Sequence, residues 1–118
     1  MRIRTKIWLE TDDGQPVLGD GRLEILETVA RTGSLSGAAR ELGMSYRSLW
    51  GKVRSAEERL GVALVRGVAG GAGHGGAVLT AEAIELVAAF TKLRTRAEAA
   101  VSEIAAETLR GYLPRRRS

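Results

Sequence analysis

The chain has 118 residues, the length of a single domain, and a formal net charge of +4 at neutral pH. It contains no cysteine and one histidine, His74, which excludes a disulfide framework, a thiolate metal site and a histidine-rich metal site. There is no apolar run of about 18 residues, as a membrane-spanning helix needs, and the N-terminus lacks the apolar core of a secretory signal. We therefore expect a cytoplasmic protein.

Basic side chains are concentrated in two regions. Residues 31–66 hold seven basic and three acidic side chains, and residues 110–117 hold four arginines and no acid. The remainder of the chain is mildly acidic. This layout suits a polyanionic partner, although an ordinary solvated surface would also account for it.

The first predicted element is a strand over residues 2–10. Apolar and polar side chains alternate there, so that Ile3, Ile7 and Leu9 would share one buried face. Turn-forming residues follow at 11–16.

Three short helices are predicted next, over about 20–32, 34–42 and 45–60. A residue that can cap a helix stands at each start: Asp20, Ser34 or Ser36, and Ser45. A glycine that can end a helix follows each of them: Gly33, Gly43 and Gly61. The second and third helices meet at Gly43, which is typical of a helix-turn-helix, although a generic helical hairpin would share this pattern.

The third helix is predicted to be a recognition helix. Its apolar residues form one stripe: Leu49, Val53, Ala56 and Leu60. The residues assigned to the opposite face are short, polar or basic, as expected for a helix that enters the major groove: Arg47, Ser48, Gly51, Lys52 and Ser55. Arg47 suits a guanine edge, and Lys52 suits a guanine or a phosphate.

The side chains at the edges of the recognition helix are assigned less specific roles. Tyr46 suits either packing or DNA contact, and Trp50, which borders the apolar stripe, is expected in the core. Arg54 and Arg59 are expected on a solvated face.

A hairpin, or wing, is predicted over residues 62–79, where two β-rich runs flank a glycine-rich segment. Arg66 and His74 are candidate contacts to the DNA backbone or minor groove, although an exposed loop histidine without a role is an equal interpretation. The G-x-G-x-x-G pattern at 71–76 is followed by a β-like run and does not indicate a nucleotide site.

A long helix capped by Thr80 is predicted over 81–110 after a head of residues 1–80, with a basic tail at 111–118. Its apolar residues keep heptad spacing: Leu86, Phe90, Leu93, Ala97, Ala100 and Ile104. This seam favours a homodimer. The alternative is that the first half docks on the head while the second half frays. The tail suits either phosphate contacts or disorder.

Three motifs resemble the winged helix-turn-helix of LysR-type regulators and, more closely, the N-terminal DNA-binding domain of the ModE family of molybdate-responsive regulators. They are Gly33-Ser34-Leu35-Ser36, Ser45-Tyr46-Arg47-Ser48-Leu49-Trp50 and Gly75-Gly76-Ala77-Val78-Leu79-Thr80. The resemblance implies a homodimer on a palindromic operator, with recognition helices in successive major grooves and wings on the flanking backbone.

This sequence departs from that family in one respect. The resemblance implies that members which sense molybdate carry C-terminal oxyanion-binding domains after the long helix, whereas this sequence ends at Ser118. Unless the chain is a fragment, we expect molybdate not to bind it and a molybdate response to need another polypeptide. We expect no other cofactor.

The sequence thus predicts a mostly α fold with a small β wing: a winged helix-turn-helix followed by a long dimerisation helix. We expect a sequence-specific, homodimeric regulator of transcription that binds double-stranded DNA. The alternatives are a nonspecific architectural DNA-binding protein or a heterodimerising partner of another regulator. We expect no enzyme, because no acid–base or nucleophile–base pair can be drawn. The candidate DNA contacts are Ser34, Ser36, Ser45, Tyr46, Arg47, Ser48, Gly51, Lys52, Ser55, Arg66 and His74.

Overall fold

Four helices and two strand pairs make up the part of the chain that the computed structural model describes, residues 1–69 and 75–113. They are β1 (Leu9–Glu10), β2 (Pro16–Leu18), α1 (Asp20–Thr32), α2 (Leu35–Leu42), α3 (Tyr46–Leu60), β3 (Val65–Val68), β4 (Gly76–Leu79) and α4 (Ala81–Thr108). Strands β1 and β2 pair antiparallel, as do β3 and β4. The predicted fold class, mostly helical with a small β wing and a long C-terminal helix, is confirmed.

The chain divides into two compact units. Trp8–Ala88 contains both strand pairs, the three short helices and the first turns of α4, and Met1–Ile7 groups with Ala89–Ser118. This division differs from the predicted head of residues 1–80. The start of α4 belongs with the short helices because Ala83, in its first turn, is fully buried.

Hydroxyl side chains cap three of the helices. Ser34 Oγ accepts the N–H of Gly37 at 2.8 Å, and Ser45 Oγ accepts that of Ser48 at 3.0 Å. Thr80 Oγ1 accepts the N–H of Ala83 at 3.1 Å. These bonds confirm the predicted caps of α2, α3 and α4.

The predicted cap of α1 is wrong. The N-cap position is occupied by Gly19 in extended conformation, and Asp20 is the first residue of the helix. In that position the Asp20 carboxylate stabilises the helix through the positive end of its dipole.

The turn between α2 and α3 depends on Gly43, whose φ of 65° lies in the left-handed region. Its N–H donates to the carbonyl of Arg40 at 3.2 Å, and the N–H of Met44 donates to that of Ala39 at 2.9 Å. These bonds satisfy carbonyls at the end of α2 and turn the chain directly into α3.

One apolar cluster joins the three short helices to the wing. Its buried members are Ile25, Val29, Ala38, Ala39, Leu49, Val53 and Ala77. The two buried alanines of α2 allow α1 and α3 to pack closely against it. Leu49 is fully buried, so its truncation to alanine costs about 2–5 kcal/mol of stability. The cluster thereby fixes the angle at which α3 is presented.

The predicted N-terminal strand is much shorter in the structure. Only Leu9 and Glu10 pair, because their partner β2 spans three residues. Ile3 is 37% and Leu9 44% exposed, so the buried face expected over residues 2–10 does not form.

Candidate nucleic-acid interface

The recognition helix α3 buries the stripe that its spacing predicts. Leu49, Val53 and Ala56 are buried, and Leu60 is half-buried. The exposed residues include Arg47, Ser48, Gly51 and Lys52. A helix face of short and basic side chains is thus open to solvent, and its contact with DNA stays a prediction.

The edge of α3 that lies toward α1 is occupied by Arg22. Its Nε donates to the carbonyl of Lys52 at 3.2 Å, and its Nη2 donates to Ser55 Oγ at 3.1 Å. Burial, and then repulsion from Arg59, lowers the pKa of the Arg22 guanidinium. Arg22 therefore ties α1 to the recognition helix while staying close to the exposed Lys52.

The assignment of Ser55 to the open face needs correction. Ser55 is half-buried, and its hydroxyl accepts from Arg22 and donates to the Lys52 carbonyl at 3.1 Å. The hydroxyl therefore holds the contact between α1 and α3. The role of Arg22 was missed because its partners lie thirty and thirty-three positions along the chain, beyond any local spacing pattern.

The opposite edge of α3 faces the wing across a groove of 460 Å³. Tyr46 and Trp50 line it from α3, Leu35 and Ser36 from the start of α2, and the remaining lining comes from the wing. Trp50 is 36% exposed, so the expectation that it lies in the core is wrong. One residue beyond Leu49, its side chain is rotated by about 100° away from the buried stripe.

Arg54 and Arg59 make contacts that the solvated-face interpretation did not include. The Arg54 guanidinium lies 5.8 Å from the centre of the Trp50 ring and 3.6 Å from the carboxylates of Glu57 and Glu58. Arg59 donates to the carbonyl of Pro16 and, at 3.2 Å, to the side chain of Gln15. Arg59 therefore fastens the end of α3 to the first strand pair.

Three of the candidate serines lie at or near the starts of α2 and α3 and differ in their surroundings. Ser34 is half-buried and occupied as the cap of α2, and Ser45 is exposed while it caps α3. Ser36 is exposed and lines the groove. Ser36 and Ser45 thus have solvent access beside the exposed face of α3.

The base of the wing is fixed by Glu57, a buried carboxylate on α3 that the sequence analysis missed. Its Oε2 accepts the backbone N–H groups of Leu64 at 2.8 Å and Val65 at 3.2 Å. On the other strand, the N–H of Ala77 donates to the carbonyl of Gly33 at 2.9 Å. The wing is therefore held by α3 and by the turn between α1 and α2.

The two predicted DNA contacts of the wing have different outcomes. Arg66 is exposed and pairs with Val78, on the face of the ribbon opposite to Val65 and Gly67, which line the groove. His74 lies outside the described residues. A wing contact by Arg66 therefore stays a prediction, on the face turned away from the groove.

The predicted seam of α4 is partly covered within the chain. Phe90 is 5% exposed and Leu86 half-buried, so the first part of the seam has less open apolar surface than the second, and its role in dimerisation stays a prediction. Leu93 is 50% and Ile104 57% exposed, and Ala100 is also exposed. A groove of 540 Å³ runs along the seam at Leu93 and Ala97. The second part of the seam is thus an open apolar stripe.

Within residues 1–69 and 75–113, no group of three or more histidine, cysteine, aspartate or glutamate side chains is arranged to hold a metal ion. None of the helices in the described part of the chain is long and apolar enough to cross a membrane.

Comparison with known proteins agrees with this architecture. Residues 21–84, more than half of the chain, match the model of the family described as bacterial regulatory helix-turn-helix protein, lysR family. The crystal structure of the CbnR_DBD–DNA complex superposes with a TM-score of 0.57 over 77% of this chain and 99% of that chain. At 22% sequence identity this likeness shows a shared fold.

Two curated relatives match with higher sequence identity. The molybdenum-pterin-binding protein MopB of Rhodobacter capsulatus is 38% identical over 101 residues, which cover 80% of this chain and 37% of MopB. The molybdenum transport protein ModE of Herbaspirillum seropedicae is 40% identical over 72 residues, which cover 61% of this chain and 27% of ModE. The chain thus spans less than two fifths of the length of these relatives. It is a helix-turn-helix DNA-binding regulator domain that resembles ModE and MopB over the aligned part, and it belongs to the lysR family of bacterial regulatory helix-turn-helix proteins.

Proposed function

We propose that this chain binds double-stranded DNA sequence-specifically, with α3 in the major groove, and regulates transcription as a homodimer. The observation that carries the proposal is the solvent-exposed face of α3, where Arg47, Ser48 and Gly51 stand beside one another while the reverse face is buried. A helix in the major groove needs such a face, since it must combine close approach with hydrogen-bond donors.

The roles of the two exposed cations follow from their places on α3. Arg47 lies one turn before Gly51 in the open face, where a guanidinium can donate two bonds to O6 and N7 of a guanine. Lys52 lies at the edge beside Arg22, where two cations favour a phosphate of the strand that borders the groove. Arg47 would therefore contribute sequence preference, and Lys52 affinity for any duplex.

Homodimerisation is supported by the open apolar stripe of α4. Leu93 and Ile104 belong to a heptad-spaced seam, the pattern of helices that pack against one another. In a single protomer both side chains are about half exposed to solvent. A second copy packed along this stripe would remove both from water. It would also present two copies of α3 to one duplex, as a palindromic operator requires.

Selection of bound duplexes from a random library, followed by fluorescence anisotropy, tests the DNA-binding proposal. We expect one enriched half-site sequence, bound about a thousandfold more tightly than bulk DNA. The logarithm of the binding constant should fall with the logarithm of salt concentration by about 0.9 for each phosphate neutralised. Equal affinity for all duplexes would instead identify a nonspecific architectural protein.

The oligomeric state is tested by Leu93→Asp, measured by sedimentation equilibrium. The charge enters the exposed stripe at its first large apolar side chain, so we expect a monomer with weakened operator binding. Ser102→Asp is the matched control, because Ser102 is exposed on the same helix and, nine residues further on, faces away from Leu93. A wild-type chain that is already monomeric would support a heterodimerising partner, and an intact Leu93→Asp dimer would exclude this seam.

MopB and ModE carry molybdenum-related names. We propose that this chain acts in molybdenum-related regulation and that it supplies the DNA binding. We expect molybdate itself not to bind this chain. Isothermal titration of the chain with molybdate should give no saturable heat, and molybdate should leave the operator affinity unchanged. A saturable response would assign the chain a direct sensing role.

A further inference from the structure

The polar edge of α3 continues beyond the open face toward the end of the helix. Four polar side chains, at spacings of four, three and four residues, form one ridge there: Ser48, Lys52, Ser55 and Arg59. Ser48 and Lys52 are exposed, whereas Ser55 and Arg59 are half-buried. Because Arg59 donates to the carbonyl of Pro16, the ridge leads from the open face to the first strand pair.

Two guanidiniums meet at the far end of this ridge, although they carry the same charge. Arg22 donates to the carbonyl of Lys52 at 3.2 Å and to the hydroxyl of Ser55 at 3.1 Å. Arg59 donates to the carbonyl of Pro16 and, at 3.2 Å, to a neutral side-chain amide in the turn before it. Burial and, after it, repulsion from Arg59 lower the pKa of the Arg22 guanidinium below its ordinary value, as expected for neighbouring cations.

These two cations have only uncharged acceptors. In the part of the chain that the structure describes, neither Arg22 nor Arg59 forms an ion pair with a carboxylate. The bonds above use two of the five N–H donors of each guanidinium, so each retains donors for a further acceptor. An anion that accepts from both would therefore offset their mutual repulsion.

The direction of the ridge favours a DNA phosphate as this anion. A helix rises about 1.5 Å per residue, so Arg59 lies about 10 Å beyond Lys52 along α3. Each strand of a duplex carries one phosphate per about 3.4 Å of its axis, so a strand that passes Lys52 has further phosphates within that span. An acidic protein segment offers the same charge, but nothing links it to the open face, whereas a duplex bound there must extend past that face.

We propose that Arg22 and Arg59 bind a second backbone phosphate of the duplex, next to the phosphate assigned to Lys52 and on the edge of α3 that faces away from the wing. The assignment rests on the proposed DNA binding and extends it to the junction of α1, α3 and the first strand pair. Because the contact is to the backbone alone, it contributes affinity for any sequence and fixes the angle at which α3 enters the groove.

Charge variants of Arg59 test the assignment through the salt dependence of binding, measured by anisotropy. Arg59→Gln should weaken binding to operator and bulk DNA alike, about tenfold at low salt, and should reduce the salt slope by about 0.9. Arg59→Lys keeps the charge and should keep the wild-type slope. Arg31→Gln is the matched control, because it removes the same charge from an arginine that is already paired with Glu41.

A single uncharged phosphate in the duplex locates the contact. Operator duplexes, selected as above, carry one methylphosphonate each at successive positions around the half-site. We expect one position at which this substitution weakens binding of the wild type and of Arg59→Lys but leaves that of Arg59→Gln unchanged, because the partner charge is already lost. Substitution at the phosphate assigned to Lys52 should still weaken binding of Arg59→Gln.

The outcomes separate this assignment from DNA binding itself. A wild-type salt slope for a folded Arg59→Gln, with no methylphosphonate position that depends on Arg59, would overturn the phosphate site and leave DNA binding intact. Arg59-dependent binding of a labelled polyglutamate peptide would, in that case, assign the two arginines to an acidic protein. A wild-type chain that binds no duplex at low salt would overturn both proposals.

Discussion

Gly51→Ala should stabilise the fold and weaken DNA binding at the same time. Gly51 lies in the middle of α3, where glycine costs about 0.8–1.0 kcal/mol relative to alanine. A Cβ there would meet no heavy atom of the described chain within 4 Å, and the φ of Gly51 is not positive. The structure thus offers no steric reason for glycine, and the stabilisation should be realised nearly in full.

The expected cost appears only when DNA is bound. The new methyl group projects from the open face between Arg47 and the groove edge, where α3 is proposed to approach base edges. Forcing a methyl group into a close-packed contact typically costs about 1–3 kcal/mol, or roughly tenfold or more in affinity. Stability and affinity should therefore change in opposite directions.

Thermal unfolding followed by circular dichroism and operator binding followed by anisotropy measure the two effects. At equal protein concentration we expect the Tm to rise by about 4 °C, because 1 kcal/mol shifts the Tm of a domain of this size by several degrees. Gly21→Ala is the control: it also fills open space at an exposed helical position, in the first turn of α1, and should not weaken binding. Gly51→Ala with wild-type affinity would refute close approach of this face to DNA, and a lowered Tm would refute the steric argument.

Three further changes test individual side chains. Arg47→Ala should cost about 1–3 kcal/mol of operator binding and relax the preference at one base pair, as measured by a repeated library selection. Lys52→Ala should weaken binding to all duplexes and reduce the salt slope by about one phosphate, and an unchanged slope would contradict a phosphate contact. The hydrogen bond and charge of Arg31 lower the pKa of Glu41, so this pair stabilises the fold above the ordinary glutamate pKa and ceases to do so as pH falls through the lowered value. The Tm of the Glu41→Gln variant should therefore fall less on acidification than that of the wild type. An equal fall in Tm would contradict a stabilising role of the Arg31–Glu41 pair.

Local chemistry explains why most of the helix boundaries were predictable. A hydroxyl cap or a glycine end acts within one turn, so the roles of Ser34, Gly43 and Ser45 can be read directly from their neighbours in the chain. The burial of Leu49 follows likewise from spacing, because a single apolar stripe on α3 has only one face to bury.

The errors share a dependence on partners that are distant in sequence. The position of Ser55 is decided by Arg22, thirty-three residues earlier, and that of Trp50 by a wing that leaves its edge of α3 uncovered. The N-terminal alternation was a genuine strand pattern, but a strand extends only as far as its partner, and β2 has three residues. In each case the local pattern was correct, and the tertiary neighbour decided the outcome.

The same distant contacts fix the position of the exposed face of α3 within the fold. Arg22 attaches α1 to the middle of α3 at Lys52. Glu57, near the C-terminal end of α3, attaches that helix to the start of the first wing strand by accepting two backbone N–H groups. Both anchors use backbone atoms of the partner element, so they constrain its position more firmly than contacts between flexible side-chain ends would. Because each anchor lies off the open face, side chains on that face can be replaced, and the proposed sequence preference changed with them, without disturbing the geometry that presents them. The residues that would set the proposed sequence preference are thereby separate from those that anchor α3, and Gly51 is the position where we expect stability and DNA affinity to oppose one another.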